Sequence, residues 1–226
     1  MREIVIDTET TGLDYKTGDR IIEVGCVELI NHVATNKSLQ FYCRVDKEIS
    51  ESAQKITGIT NKFLEDKKSF ADHCESLLEF IDADPLIIHN ADFDVGFLNN
   101  ELSLIGRPPL SNPVVDTVSL ARSTLNTRVA NLDYLCRRFK VDLSERDLHG
   151  ALLDSQLLAE VYLELKGGKQ FTMNLSNTNS PETNIPITEE RNDKNIVKFQ
   201  LLEEDVVAHK KIVKEIKEAI WKKYNY

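Results

Sequence analysis

The sequence has few cysteines and no long hydrophobic run, and both shortages narrow the class of protein. Four cysteines stand far apart among 226 residues, at positions 26, 43, 74 and 136, without a CxxC pair. Neither a zinc knuckle nor a dense disulfide framework is supported, and reduced thiols in the cytoplasm are expected. No apolar run reaches the ~18 residues of a membrane span, so no membrane partner is expected. The N-terminus enters a strand-like run at once, and no secretory signal is expected there.

Positive charge is also scarce. The net charge is −9, and because residues 196–226 carry a net +2, residues 1–195 carry −11. A broad electrostatic hold on nucleic acid is unfavourable for such a body, since that binding comes from Lys and Arg against phosphate. Any phosphate chemistry would need metal ions to offset the repulsion. The hydrophobic content of 41% is still enough for a globular core.

Residues 1 to about 166 alternate between strand-like and helix-like patterns. Short apolar runs predict five strands, at 4–6, 21–29, 39–45, 86–88 and 114–115. Helical spacing predicts helices within 70–81, 93–102, 117–125, 131–139 and about 150–166. The short links between the first three strands predict an antiparallel meander. The expected fold class is α/β, a mixed five-stranded sheet flanked by helices.

The rest of the chain differs in composition. Residues 1–168 are expected to form the folded domain, and 169–195, rich in Asn with few apolar groups, predict a flexible linker. In 196–226, apolar residues return at helical spacing and predict a short helical C-terminal segment, at Val206, Val213, Ile216 and Ile220. A lone helix of this length is marginal in water, so its apolar face is expected to dock onto a partner.

Two carboxylates follow the first predicted strand. Asp7 and Glu9 are two residues apart, which on a strand places both side chains on one face, with about 6.6 Å between their Cα atoms. Carboxylates so placed can converge on one hard cation. The alternative is a helix cap or Asx turn leading into Thr10, Thr11 and Gly12.

Two further carboxylates interrupt apolar helix faces. Asp94 shares a face with Phe97 and Leu98, and Asp154 shares one with apolar residues of the last helix. A carboxylate there is unfavourable unless it is paired or metal-bound. The ordinary alternative at either site is a buried Asp–Arg pair or a helix cap. His149, five residues before Asp154, fits best in the loop before the helix, from which it can reach the same site.

Three motifs in order give these residues a family resemblance. They are D-T-E-T-T-G at 7–12, H-N-A-D-F-D at 89–94 and H-G-A-L-L-D at 149–154. Together they resemble the DEDD superfamily of 3′→5′ exonucleases in its histidine branch. The resemblance implies a ribonuclease H-like fold and His149 as the catalytic base. It also implies two divalent cations, Mg²⁺ or Mn²⁺, held by Asp7, Glu9, Asp94 and Asp154.

The likeness is strongest to the proofreading subunits of bacterial replicative DNA polymerases. It implies a single-stranded 3′ end of DNA as substrate, with contacts from Asp7, Glu9, Thr10 and Asp154. Those subunits use a Glu and a His before the glycine at position 58, where this chain has Ser52 and Thr57. Ser52 and Thr57 stay candidate substrate contacts, but they would bind the substrate with a different affinity from that Glu and His.

Partners are also implied by this likeness. The segment 196–226 would bind the polymerase (alpha) subunit, and a small third core subunit would complete the group. The hexapeptide at 170–175 is similar to sliding-clamp-binding peptides, with Gln170, Met173 and Leu175 as the docking residues.

Three alternatives remain open from the sequence. A stand-alone 3′→5′ exoribonuclease of the same superfamily would use the same carboxylates and histidine. A non-catalytic subunit joining polymerase and clamp is disfavoured, because all five catalytic positions are filled. A calcium site is disfavoured, because no 12-residue loop has EF-hand spacing.

Overall fold

The computed structural model describes residues 1–144, Arg146, 148–168 and 203–215. The chain divides into two compact units, Met1–Asn174 and Leu175–Tyr226. The described part of the second unit, residues 203–215, is a helix, Glu203–Glu215, which confirms the helical spacing around Val206 and Val213. The predicted linker 169–195, with Gln170, Met173 and Leu175, and also Ile216 and Ile220, lie outside the described residues. The boundaries between the three predicted segments stay predictions.

The strands of the first unit are β1 Arg2–Thr10, β2 Ile21–Ile30, β3 Val33–Tyr42, β4 Leu86–Ile88 and β5 Val114–Asp116. The helices are α1 Glu51–Thr57, α2 Asn61–Leu64, α3 Phe70–Ile81, α4 Ala91–Leu104, α5 Thr117–Leu125, α6 Leu132–Phe139 and α7 Ala151–Leu165. The helix Glu203–Glu215 is α8. Among the described residues, no helix combines the length and the hydropathy needed to cross a membrane.

The five strands form one mixed sheet in the order β3-β2-β1-β4-β5. The first three strands are antiparallel, whereas β4 pairs in parallel with both β1 and β5. The predicted meander and the mixed five-stranded sheet are therefore confirmed. The parallel strands are joined through helices, as such connections require.

The sheet is buried on both faces, and β1 contributes to both cores. Ile4 and Ile6 pack with α3 and α4, whereas Val5 packs with α5, α6 and α7. Side chains alternate along a strand, so the residues after Ile6 point in turn to the side of Val5 and to the side of Ile4 and Ile6. Asp7 and Glu9 face the α7 side, and Thr8 faces the α4 side.

The third strand begins earlier than its apolar pattern predicted. Asn31 and His32 form a two-residue hairpin turn with φ of 52° and 69°, which pairs Ile30 with Val33. Turns with positive φ at both central residues match the natural twist of a hairpin and fix the strand register. The start of β3 was missed because this edge strand is mostly polar and exposed, so it lacks apolar alternation.

Two short helices were also missed. Ser50 caps α1 through a hydrogen bond from the Ala53 amide, but α1 has seven residues and lacks a long apolar stripe. The second, α2, is a single turn. Both lie beside a small core that includes Ile49 and Ile59. Tertiary packing therefore stabilises elements too short to be marked by periodicity.

Candidate active site

Asp7 and Glu9 lie within β1, at a point where only one neighbouring strand remains. The ladder with β2 continues to Thr10, whereas the pairing with β4 reaches only Val5. The alternative of a cap or Asx turn at Asp7 is therefore wrong. A register irregularity between Glu9 and Thr10 breaks the ladder at the same place. Such bulges re-aim side chains and are frequent beside active sites.

Asp94 reaches this open edge of β1 from the first turn of α4. It is 3% exposed, and its Oδ1 accepts hydrogen bonds from the Thr8 amide at 3.0 Å and the Thr8 hydroxyl at 2.7 Å. The carboxylate thus satisfies an amide that β4 is too short to pair. Asp94 is held by Thr8, and the alternative of a buried Asp–Arg pair does not apply to it.

Asp154 approaches from the opposite face of the sheet because α7 packs tightly against β2. Gly25, the cross-strand partner of Asp7, lies under the first turn of α7, and a Cβ there would be 2.2 Å from the Ala151 carbonyl carbon. The Ser155 hydroxyl donates to the Gly25 carbonyl at 2.9 Å. This close approach, which only glycine permits, brings Asp154 beside Asp7 and Glu9.

His149 lies two residues before α7, in the loop where it was predicted. Its amide donates to the Ile56 carbonyl at 3.0 Å, which ties this loop to α1. Its Nδ1 is 3.2 Å from Asp154 Oδ2, and the ring is half-exposed. Ligand atoms of Glu9, His149 and Asp154 lie within 4.8 Å of one another. The histidine therefore stands at the solvent side of the carboxylates.

Arg146 is the main cation at this site. Its Nε is 2.5 Å from Asp154 Oδ1, and its Nη2 is 2.8 Å from Asp154 Oδ2. Nη2 is also 3.0 Å from His149 Nδ1, and Nη1 pairs with Asp133 of α6. The alternative of a buried Asp–Arg pair is thus realised at Asp154, in addition to the contact with His149.

The carboxylates strongly perturb one another's ionisation. Burial, followed by repulsion from Asp94, raises the pKa of Asp7 well above its usual value. Burial and repulsion from Asp154 raise the pKa of Glu9 to about 8, and burial raises that of Asp94 to about 7. At Asp154 burial is outweighed by hydrogen bonds from His149 and Arg146, which lower its pKa. The hydrogen bond to Asp154 raises the pKa of His149.

A cavity of about 280 Å³ opens at this point. It is lined by Asp7, His89, Asn131, Leu132, Asp133, Arg146, His149 and Asp154. His89 has a structural partner, since its Nδ1 is 2.9 Å from the Thr117 hydroxyl. Asp116 caps α5 as predicted, by accepting from the amides of Val118 and Ser119.

The other candidate substrate residues surround the site less closely. Thr10 is buried, and its hydroxyl donates to the Gly12 carbonyl at 2.5 Å. The Thr57 hydroxyl donates to the Ala53 carbonyl and accepts from the Ile59 amide at the end of α1. Ser52 is exposed on α1, with its hydroxyl 3.1 Å from that of Ser50. Substrate contacts by these three residues stay predictions.

Sequence reasoning missed three residues that shape the site, namely Thr8, Glu23 and Arg146. Glu23 is 1% exposed, lies opposite Glu9 on β2 and accepts a hydrogen bond from Gln40 at 2.7 Å. The sequence did carry a signal for Glu23, because it is a carboxylate inside a strand that was predicted to be buried. Thr8 lay within a motif but on the other strand face, and Arg146 lay in a loop without periodicity, so neither carried a comparable signal.

Comparison with known proteins gives a consistent family assignment. The exonuclease family model (RNase_T) matches residues 4–162. The DNA polymerase III subunit epsilon of Rickettsia felis is 44% identical over 224 residues, which cover 96% of this chain and 97% of that protein. The subunit of the same name from Escherichia coli is 42% identical over 176 residues, 74% of this chain and 72% of that one.

Solved structures agree on the fold. Exonuclease X in complex with 5′ overhanging duplex DNA superposes with a TM-score of 0.58 at 24% identity, over 72% of this chain and 90% of that chain. The nuclease domain of 3′hExo, a DEDDh family member bound to rAMP, gives a TM-score of 0.62 at 20% identity, over 74% and 92%. The expected ribonuclease H-like exonuclease fold is therefore confirmed.

Proposed function

Because the chain belongs to the exonuclease family and, within it, to the DNA polymerase III epsilon subunits, we propose that it removes mispaired 3′-terminal nucleotides during DNA replication. The observation that carries this proposal is the convergence of four carboxylates and one histidine at the open end of β1. The carboxylates come from three separate elements, β1, α4 and α7. Such a cluster is unfavourable in a folded protein unless a function requires it.

The family needs divalent metal ions, and the donor set fits them. Asp7, Glu9, Asp94 and Asp154 offer hard oxygen ligands in a buried setting. Burial raises the pKa values of Asp7, Glu9 and Asp94, and repulsion between the carboxylates raises those of Asp7 and Glu9 further. We assign these residues to two cations, Mg²⁺ or Mn²⁺, which favour carboxylate oxygen. Bound there, the cations would supply charge neutralisation at the reacting phosphate and acidify a water molecule.

His149 is assigned as the proton acceptor. Its ring is half-exposed and next to Asp154, so it can reach both the carboxylates and solvent. The attacking water would lose its proton to the imidazole while the bond from phosphorus to the 3′ oxygen breaks. The product would be a nucleoside 5′-monophosphate. A histidine acts as a base in its neutral form, and the raised pKa of His149 makes it a stronger base.

The substrate is proposed to be the frayed 3′ end of a single DNA strand. Asp7, Glu9 and Asp154 would lie next to its terminal phosphate and would hold the cations that neutralise the phosphate charge. Thr10, Ser52 and Thr57 are candidate contacts to the terminal nucleotide. A proofreader must accept every base, so apolar contact and stacking suit it better than base-specific hydrogen bonds. The side chain of Leu13, next to the turn after Thr10, is 85% exposed and suits such contact.

The proposed partners rest on family membership. The segment 196–226 is proposed to bind the polymerase alpha subunit, and Gln170, Met173 and Leu175 to bind the sliding clamp. A small third core subunit is a further proposed partner, and the complex would act in the cytoplasm. The match to the Rickettsia felis protein covers 96% of this chain and so extends into the tail. Tethering would compensate for weak DNA binding by the acidic body.

The test is cleavage of 5′-labelled single strands of DNA and RNA of the same sequence by the full-length chain. We expect a 3′→5′ ladder on DNA that needs Mg²⁺ or Mn²⁺ and is abolished in Asp7→Asn. Asp92→Asn is the matched control, because Asp92 is an exposed carboxylate on the same helix as Asp94. Preferential cleavage of RNA would favour the exoribonuclease alternative, and unaltered activity in Asp7→Asn would refute the site.

A further inference from the structure

Arg146 occupies both oxygens of Asp154. The contacts of 2.5 and 2.8 Å form a parallel, two-bonded fork, and the two side chains are 8% and 5% exposed. Bidentate pairs of this type are among the strong hydrogen bonds in proteins. A cation that uses Asp154 as a ligand must therefore compete with a pre-existing, buried ion pair.

The guanidinium also satisfies a local charge requirement. Asp154 adjoins Asp7 and Glu9, and an ionised carboxylate in such a group is unfavourable without a positive partner. Arg146 supplies that charge from the loop between α6 and α7. It therefore provides at Asp154 part of the charge compensation that a divalent cation would provide for the whole group.

A second carboxylate allows Arg146 to leave without losing every partner. Nη1, at the other side of the guanidinium, pairs with Asp133 in the first turn of α6. Asp133 lines the same cavity but is 48% exposed, whereas the side chain of Asp154 is 5% exposed. Arg146 can thus release Asp154 while it stays bound to Asp133. The same movement would free His149 Nδ1, which is 3.0 Å from Nη2.

We propose that Arg146 is a positioning residue that holds Asp154 in the metal-free protein and, when a divalent cation binds, releases Asp154 while it keeps its pair with Asp133. This inference depends on the proposed metal site. It predicts that Arg146 lowers the affinity for the cation while it stabilises the metal-free fold. A residue that merely oriented Asp154 toward the cation would raise that affinity instead.

The experiment measures Mn²⁺ binding to the full-length chain by electron paramagnetic resonance. Arg146→Met is expected to bind Mn²⁺ about tenfold more tightly, because the competing charge is gone. Arg146→Lys keeps the positive charge but loses the two-bonded contact with Asp154, so the variant should also bind Mn²⁺ more tightly than wild type. If Arg146 acted only through its positive charge, Arg146→Lys would leave the Mn²⁺ affinity unchanged. Asp133→Asn removes the second partner and should weaken binding.

Arg137→Met is the matched control. Arg137 lies at the end of α6 and lines a neighbouring pocket with Arg146, whereas the salt bridges of Asp154 are to Arg146 and His149. The control should change affinity much less than Arg146→Met. Unchanged or weaker binding in Arg146→Met, or equal effects of both substitutions, would overturn the inference.

Thermal unfolding provides a second measurement. In EDTA, Arg146→Met should melt below wild type, because Asp154 is left buried without its main partner, and Mn²⁺ should restore more stability than in wild type. If Arg146→Met does not fold without metal, Arg146→Lys gives the same comparison. Failure of wild type to bind Mn²⁺ would refute the proposed function, whereas normal wild-type binding with no effect of either substitution would refute the Arg146 inference alone.

Discussion

The substitution Glu9→Gln should stabilise the metal-free protein at alkaline pH and destabilise the metal-bound protein. Burial and repulsion from Asp154 raise the pKa of Glu9 from 4.5 to about 8. The folded state therefore holds this proton between those values, where the unfolded state has lost it. Because the folded state binds more protons, stability falls as pH rises through this range. A glutamine has no proton to lose and escapes the penalty.

The magnitude follows from the pKa difference. The ionisation of Glu9 lowers the free energy of unfolding by at most about 4 kcal/mol at pH 8 and about 1 kcal/mol at pH 5. Between the two, metal-free wild type should lose up to about 3 kcal/mol more than Glu9→Gln. Saturating Mg²⁺ binds the ionised carboxylates and so stabilises wild type by mass action. The variant lacks one of these carboxylates, so Mg²⁺ should stabilise it less. The order of stability should therefore invert on addition of metal.

The assay is urea unfolding followed by circular dichroism at pH 5 and pH 8, in EDTA and in Mg²⁺. Glu79→Gln is the control, since Glu79 is exposed on α3 and should follow wild type in all four conditions. The reasoning is refuted if Glu9→Gln has the pH dependence of wild type in EDTA. It is also refuted if the variant and wild type keep the same order of stability with and without Mg²⁺.

Three further predictions concern the proposed base, the helix contact and the tail. His149→Gln should lower the rate by about 10²–10⁴-fold and remove the acid limb of the pH–rate profile, and an unchanged profile would exclude His149 as the base. Gly25→Ala should lower the free energy of unfolding by about 1–3 kcal/mol, measured in urea, because its Cβ meets Ala151. Gly150→Ala, where an added Cβ meets nothing within 4 Å, should be milder. Deleting 175–226 should leave cleavage of single strands intact and abolish co-purification with the polymerase. Loss of cleavage together with loss of co-purification would contradict the division into two units.

Much of the site could be predicted because its residues stand in local patterns. Strand alternation placed Asp7 and Glu9 on one face, and helical spacing placed Asp94 and Asp154 on faces that the structure buries. His149 was placed in the loop before α7 because two residues five positions apart on a helix would point in different directions. Asp116 was predicted to cap α5 because it directly precedes that helix. These signals depend on neighbours within a few residues, which the sequence shows directly.

The rest depends on contacts between distant parts of the chain. Asp94 reaches Thr8 because β4 ends early, and Asp154 reaches Asp7 because Gly25 lets α7 approach β2. The pairing of Arg146 with Asp154 and Asp133 joins a loop to two helices and leaves no periodic mark. The sequence by itself determined which groups carry the chemistry and the elements that bear them. Only the tertiary structure decided their distances, the shifts of their pKa values and the pairing of Asp154 with the Arg146 guanidinium, because burial and repulsion exist only once the chain has folded.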